Sequence, residues 1–103
     1  MVEFHASWCE PCREFERRVL PDPRVRQALA GVVYVRYDEH SHTGHDATLR
    51  CDVRSFPTWL GIDGQGKIRL KKVGAEPTPE AFLEFLAQTK RVLGSPDGAP
   101  EPE

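Results

Sequence analysis

The chain has 103 residues, 39% hydrophobic and 29% charged, with 14 Lys and Arg against 16 Asp and Glu for a formal charge of −2. One domain of this length buries about 60 to 65% of its unfolded surface, so a single modest core is expected and a second domain is not. The balance leaves no basic excess for nucleic acid, and no apolar run is long enough to cross a membrane. Met1-Val2 is followed by Glu3, without the basic and apolar stretch of a signal peptide. As written the chain is expected in the cytoplasm; were residues missing upstream, a periplasmic or membrane-tethered setting would be the alternative.

In chain order, Val2 to Ala6 alternates around Val2, Phe4 and Ala6 and reads as a short strand running into Trp8-Cys9-Glu10-Pro11-Cys12. From Pro11, Phe15, Val19 and Leu20 fall at helical spacing among charged residues, so an amphipathic helix starts at the cysteine motif itself. Pro21 and Pro23 interrupt it, and Asp22-Pro23 caps and opens a second helix through Ala30, with Gly31 as its stop. Val32 to Tyr37 is the strongest strand and is expected at or near the centre of the sheet, or at an exposed edge were residues missing upstream. A polar segment, Asp38 to His45, leads to a short helix from Asp46 to Cys51. Pro57 to Ile62 and Lys67 to Val73 pair as a hairpin about Asp63-Gly64-Gln65-Gly66. Thr78-Pro79 opens the last helix, with Phe82, Phe85 and Leu86 on its apolar face and Gly94 at its close.

The order β-α-α-β-α-β-β-α predicts an α/β fold, an open four-stranded mixed sheet flanked by helices, its early strands parallel and its last antiparallel. The domain is expected over 1–93. Residues 94–103 hold no large apolar side chain and read as a disordered acidic tail. Asp97, Glu101 and Glu103 carry three negative charges, which leaves 1–93 at +1.

The three cysteines are too few, and odd in number, for a disulfide scaffold, so the close pair points to chemistry. Thiolate is the attacking species in disulfide exchange, and the unpaired N–H groups and dipole of a helix N-terminus stabilise it. That places Cys9 as the exposed attacking thiol and Cys12, one turn inward, as the resolving one. Pro11 fits the first turn because its missing N–H would have had no helical partner. Half a zinc site is the competing reading, with Cys51 or the group His40, His42 and His45 as further ligands. The strand-to-helix setting favours redox work, with no metal. The bland readings make Cys51 a small buried hydrophobe and the histidines solvated.

With these residues in place, the sequence resembles the thioredoxin-like family over about residues 2 to 93. Val2 to Arg13 resembles its active-site strand and helix, Arg54-Ser55-Phe56-Pro57-Thr58 its cis-proline segment, and Lys72-Val73-Gly74-Ala75 its glycine loop. Glu16 to Leu29 is most similar to the branch formed by the C-terminal domain of the thiol:disulfide interchange protein DsbD and its small relatives. The strand and helix that precede the active-site strand in that family have no counterpart in these residues.

The resemblance implies a thiol-disulfide oxidoreductase, without cofactor beyond the Cys9–Cys12 couple, acting as a monomer on protein disulfides and recharged by a thiol electron donor. The competing class is a redox-silent or metal-binding interaction module of the same fold. The resemblance also implies that Pro57 is cis and that the Phe56 backbone and Gly74 receive the substrate. Glu3 matches the family's buried acid and Arg36 its basic partner. Buried, Glu3 would take the proton of Cys12; as an edge charge it would do nothing. Glu10, between the cysteines, opposes thiolate at Cys9 while the helix dipole favours it, which predicts a reductant over a strong oxidant. Trp8 either shields the site or joins the core.

Overall fold

The computed structural model describes residues 1–94. Its elements are β1 (Val2–His5), α1 (Glu10–Arg18), α2 (Pro23–Ala30), β2 (Val35–Asp38), α3 (His42–Arg50), β3 (Thr58–Ile62), β4 (Ile68–Val73) and α4 (Pro79–Gly94). The helix starts are written in the local sequence. Asp22 accepts the Arg24 N–H at 2.8 Å, Ser41 that of Gly44 at 2.9 Å, and Thr78 Oγ1 that of Ala81 at 3.2 Å. Gly94 is the last residue of α4 and not the first of a tail; the rest of the expected tail, 95–103, lies outside the described residues.

The four strands form one mixed sheet in the order β2-β1-β3-β4. β1 and β2 are parallel, with Val2 opposite Val35 and Glu3 opposite Arg36. β3 is antiparallel to β1, with Phe4 opposite Thr58, and β4 is antiparallel to β3.

Three expectations are corrected here. β2 is an edge strand, because β3 takes the other side of β1. Its ladder starts at Val35, where the Val35 N–H meets the Met1 carbonyl at 3.0 Å, and Val33 stays 82% exposed. β3 is not parallel to the early strands, since segment 51–57 brings the chain back beside the end of β1 before the strand begins. The third helix starts at His42, four residues before the expected Asp46, because Ser41 supplies its cap.

The sheet buries a core on each face. Trp59 packs edge-on against Phe15 of α1 at 5.0 Å between ring centroids and lies 5.2 Å from Phe82 of α4. Met1, Val19, Val25, Phe85 and Leu86 complete that cluster. On the other face Phe4, Leu60 and Val53 lie with Ala47 of α3, and Cys51 packs against them half-buried, where full burial was expected. At Gly44 of α3 a Cβ would lie 1.9 Å from the Asp38 carbonyl oxygen, so only glycine lets the helix sit against the end of β2. Among the described residues no helix is long and apolar enough to cross a membrane.

Candidate active site

β1 ends at His5, and four residues later Cys9 becomes the N-cap of α1. Its φ of −85° and ψ of 112° are extended, so the chain turns into the helix at the cysteine itself. The Cys12 N–H donates to Cys9 Sγ at 3.2 Å, the bond a Ser or Asp cap usually accepts. The pair is a disulfide, with Cα atoms 5.3 Å apart. Pro11 sits in the first turn, as its ring geometry favours.

Cys9 is 3% exposed and Cys12 0%, so the expected contrast between an exposed and an inner thiol is absent in the disulfide form. The cover comes from the segment before β3. Cys9 Sγ lies 3.3 Å from the Phe56 carbonyl oxygen, and Phe56 packs against Ala6 and the two cysteines. The Phe56–Pro57 bond is cis, with the Pro57 ring fully buried. The Gly74 N–H donates to the Pro57 carbonyl at 2.8 Å, and Gly74 holds φ +96°, a conformation that suits glycine. Trp8 is 63% exposed and meets the Phe56 ring edge-on at 5.6 Å, so it stands over the site and takes no part in the core.

Glu10 is exposed, with Arg17 at 3.1 Å and Arg13 at 3.9 Å. These cations answer the charge that was expected to oppose thiolate at Cys9. Glu14 pairs with Arg17 and, at 2.9 Å, with Arg18, so the charges on the exposed face of α1 are matched along the helix.

Glu3 is fully buried, which removes the edge-charge reading. Arg36 closes on it with Nε 2.8 Å from Oε1 and Nη2 3.3 Å from Oε2, and the Tyr34 hydroxyl also donates to Oε1. Arg36 Nη2 reaches on to Glu16 of α1 at 3.4 Å, one helical turn beyond Cys12. Burial opposes the Arg36 charge, but hydrogen bonding and attraction to Glu3 outweigh it and raise the guanidinium above its usual value. Burial, and then the Glu3 charge, push the Tyr34 hydroxyl far up, so it remains a donor.

Tyr34 and Glu16 were not singled out in the sequence. Tyr34 stands two residues from Arg36, and the strand alternation that faces Arg36 toward Glu3 was the available signal. The histidines do not converge: among the described residues no three His, Cys, Asp or Glu side chains are grouped to hold a metal.

A disulfide at a strand-to-helix junction, beneath a buried cis-proline, defines a class of α/β proteins built around a Cys-x-x-Cys couple. The chain belongs to one family of that class: the model described as thioredoxin-like matches residues 1–63. It is 35% identical over 103 residues to the thiol:disulfide interchange protein DsbD of Ralstonia nicotianae, an alignment covering 97% of the chain and 16% of that protein. DsbD of Escherichia coli is 36% identical over 69 residues, covering 65% and 12%.

Among solved structures, the reduced DsbD C-terminal domain of Neisseria meningitidis superposes with a TM-score of 0.70 at 20% identity, covering 85% of this chain and 77% of that one. A thioredoxin from Thermus thermophilus gives 0.69 at 27% identity, covering 84% and 69%. Because the chain spans 16% of the length of the Ralstonia relative, the lack of a leader in these residues fixes no compartment, and the cytoplasmic expectation is withdrawn.

Proposed function

We propose that this domain is a thiol-disulfide oxidoreductase that reduces protein disulfides, acting as a monomer, with the Cys9–Cys12 couple as its redox group. The observation that carries the reading is the Cys12 amide on Cys9 Sγ at the start of α1. A donor held there by the helix stabilises negative charge on the Cys9 sulfur once the disulfide is reduced.

In the reduced form the Cys9 thiolate attacks one sulfur of the substrate disulfide. A mixed disulfide forms and the other substrate sulfur leaves as a thiolate, which takes a proton from solvent. Cys12 then loses its proton and attacks Cys9 Sγ, which closes the Cys9–Cys12 disulfide and releases the second substrate thiol. Two electrons pass from the dithiol to the substrate, and an external dithiol donor restores the pair.

Glu3 is fully buried, is linked to α1 through Arg36 and Glu16, and serves as the base for Cys12 in this reading. Arg36 and Tyr34 fix its orientation through hydrogen bonds to its two carboxyl oxygens. Phe56, Pro57 and Gly74 form the ledge for an extended substrate segment. Trp8 shields the mixed disulfide, and Glu10 and Pro11 form the rim on the α1 side.

Insulin reduction with dithiothreitol, run for the unaltered protein beside Cys9→Ser, tests the reading. Turnover that disappears in the variant supports it. Equal turnover in both, or none in either, overturns it.

A further inference from the structure

Alongside the cis-proline segment the surface opens into a groove of about 280 Å³ lined by Asp52, Arg54, Ser55, Thr58, Lys71 and Val73. Its walls are the two segments that build the site. Ser55 and Thr58 flank the Phe56–Pro57 bond, and Val73 precedes Gly74. Thr58 and Val73 are cross-strand partners, and the Gly74 to Pro57 hydrogen bond ties the walls together next to the disulfide.

The charge of this groove is not balanced as it is on α1. Arg54 pairs with Asp52 through Nε at 3.0 Å, which leaves its two terminal amino groups unengaged among the described residues. Lys71 is exposed and has no ion-pair partner among them. Two cations therefore face one carboxylate. Val73, 57% exposed, adds an apolar wall suited to methylene groups.

We propose that this groove is a specificity subsite for an acidic side chain of the substrate polypeptide, an Asp or Glu within about two to four residues of the reacting cysteine. A guanidinium with a free pair of N–H donors binds a carboxylate in bidentate fashion, and Lys71 adds a second charge. The reach follows from the chain: Arg54 is two residues from Phe56, about 7 Å of extended backbone, and the Phe56 carbonyl already touches Cys9 Sγ. The proposal rests on the oxidoreductase reading and assigns its substrate class.

The test uses disulfide-bonded peptides that differ at one position, with Glu, Gln or Lys placed two, three or four residues from the cysteine on either side. The readout is the ratio of kcat/KM values within a set. For the unaltered protein the Glu peptide is favoured over Gln at one or more positions by about three- to fivefold, the range expected for exposed ion pairs. The ratio falls toward one in Arg54→Gln/Lys71→Gln and in high salt. In Arg54→Glu/Lys71→Glu the preference passes to the Lys peptide.

Equal rates for Glu and Gln peptides at every position overturn the subsite and leave the oxidoreductase reading standing. Variants that slow all peptides alike with the ratio unchanged also overturn it, since they reveal a merely structural role. Reduction of no peptide by the unaltered protein overturns both readings together.

Discussion

The amide of Cys12 donates to Cys9 Sγ at 3.2 Å, so the sulfur proposed to attack is also the cap of the helix that carries the proposed resolving cysteine. One backbone donor thus serves two ends: it closes the first turn of α1 and it offers the thiolate a hydrogen bond. Replacing Cys9 by serine keeps the cap and removes the nucleophile, so Cys9→Ser is expected to remain folded and to lose insulin reduction. Cys12→Ser keeps the nucleophile without its resolving partner. It should accumulate a mixed disulfide with a substrate, visible as an adduct by mass spectrometry that reductant releases; absence of the adduct under turnover conditions would contradict the assigned roles.

The Glu3–Arg36 pair predicts a large stability effect. Arg36→Met leaves a fully buried carboxylate facing an apolar chain, and such breaks cost about 3 to 5 kcal/mol when the remaining charge stays desolvated. Tyr34→Phe removes a single hydroxyl and should cost about 1 to 3 kcal/mol. Urea unfolding curves check both. A shift below about 0.5 kcal/mol for Arg36→Met, the level of an ordinary surface change, would mean the pair holds nothing together.

Gly44→Ala should be the most damaging glycine substitution. Its Cβ would fall 1.9 Å from a backbone oxygen, so α3 or the Asp38 segment must move, at a cost of about 1 to 3 kcal/mol. At Gly64, in the hairpin loop, a Cβ meets nothing within 4 Å, and Gly64→Ala is the control. Thermal midpoints that fall equally for both variants would be inconsistent with the close approach.

Asp63 gives a pH signature. The Arg69 side chain, and then the backbone N–H groups of Lys67 and Gln65, hold its carboxyl down at about 2 against an ordinary 3.8. A carboxyl depressed in the folded state contributes stability above its unfolded value and loses it as pH falls through the folded one. The difference in thermal midpoint between the unaltered protein and Asp63→Asn should therefore be full above about pH 5 and shrink between about pH 4 and pH 2. A difference that stays constant over that interval would show that the charge of Asp63 is not its source.

What the amino-acid sequence determined by itself is what a few neighbouring residues decide. Asp22-Pro23 and Thr78-Pro79 open helices because their side chains and ring geometry act on the next turn of chain. Asp63-Gly64-Gln65-Gly66 closes the hairpin by bonds that span four residues. The cysteine pair reads as redox chemistry because strand, turn and helix signals meet on it, and the family resemblance follows from three such segments in order.

The tertiary structure alone decided the rest, through contacts between residues remote in sequence. Val32 to Tyr37 carries the residues of a central strand, yet β2 lies at an edge because β3 occupies the far side of β1. Cys9 is buried because Phe56, 47 residues away, lies over it. Glu3 is a buried acid and not an edge charge because Tyr34 and Arg36 meet its carboxylate across the parallel ladder. Burial and pairing of this kind depend on which segment covers which face of the sheet, a competition among distant partners that no local pattern records.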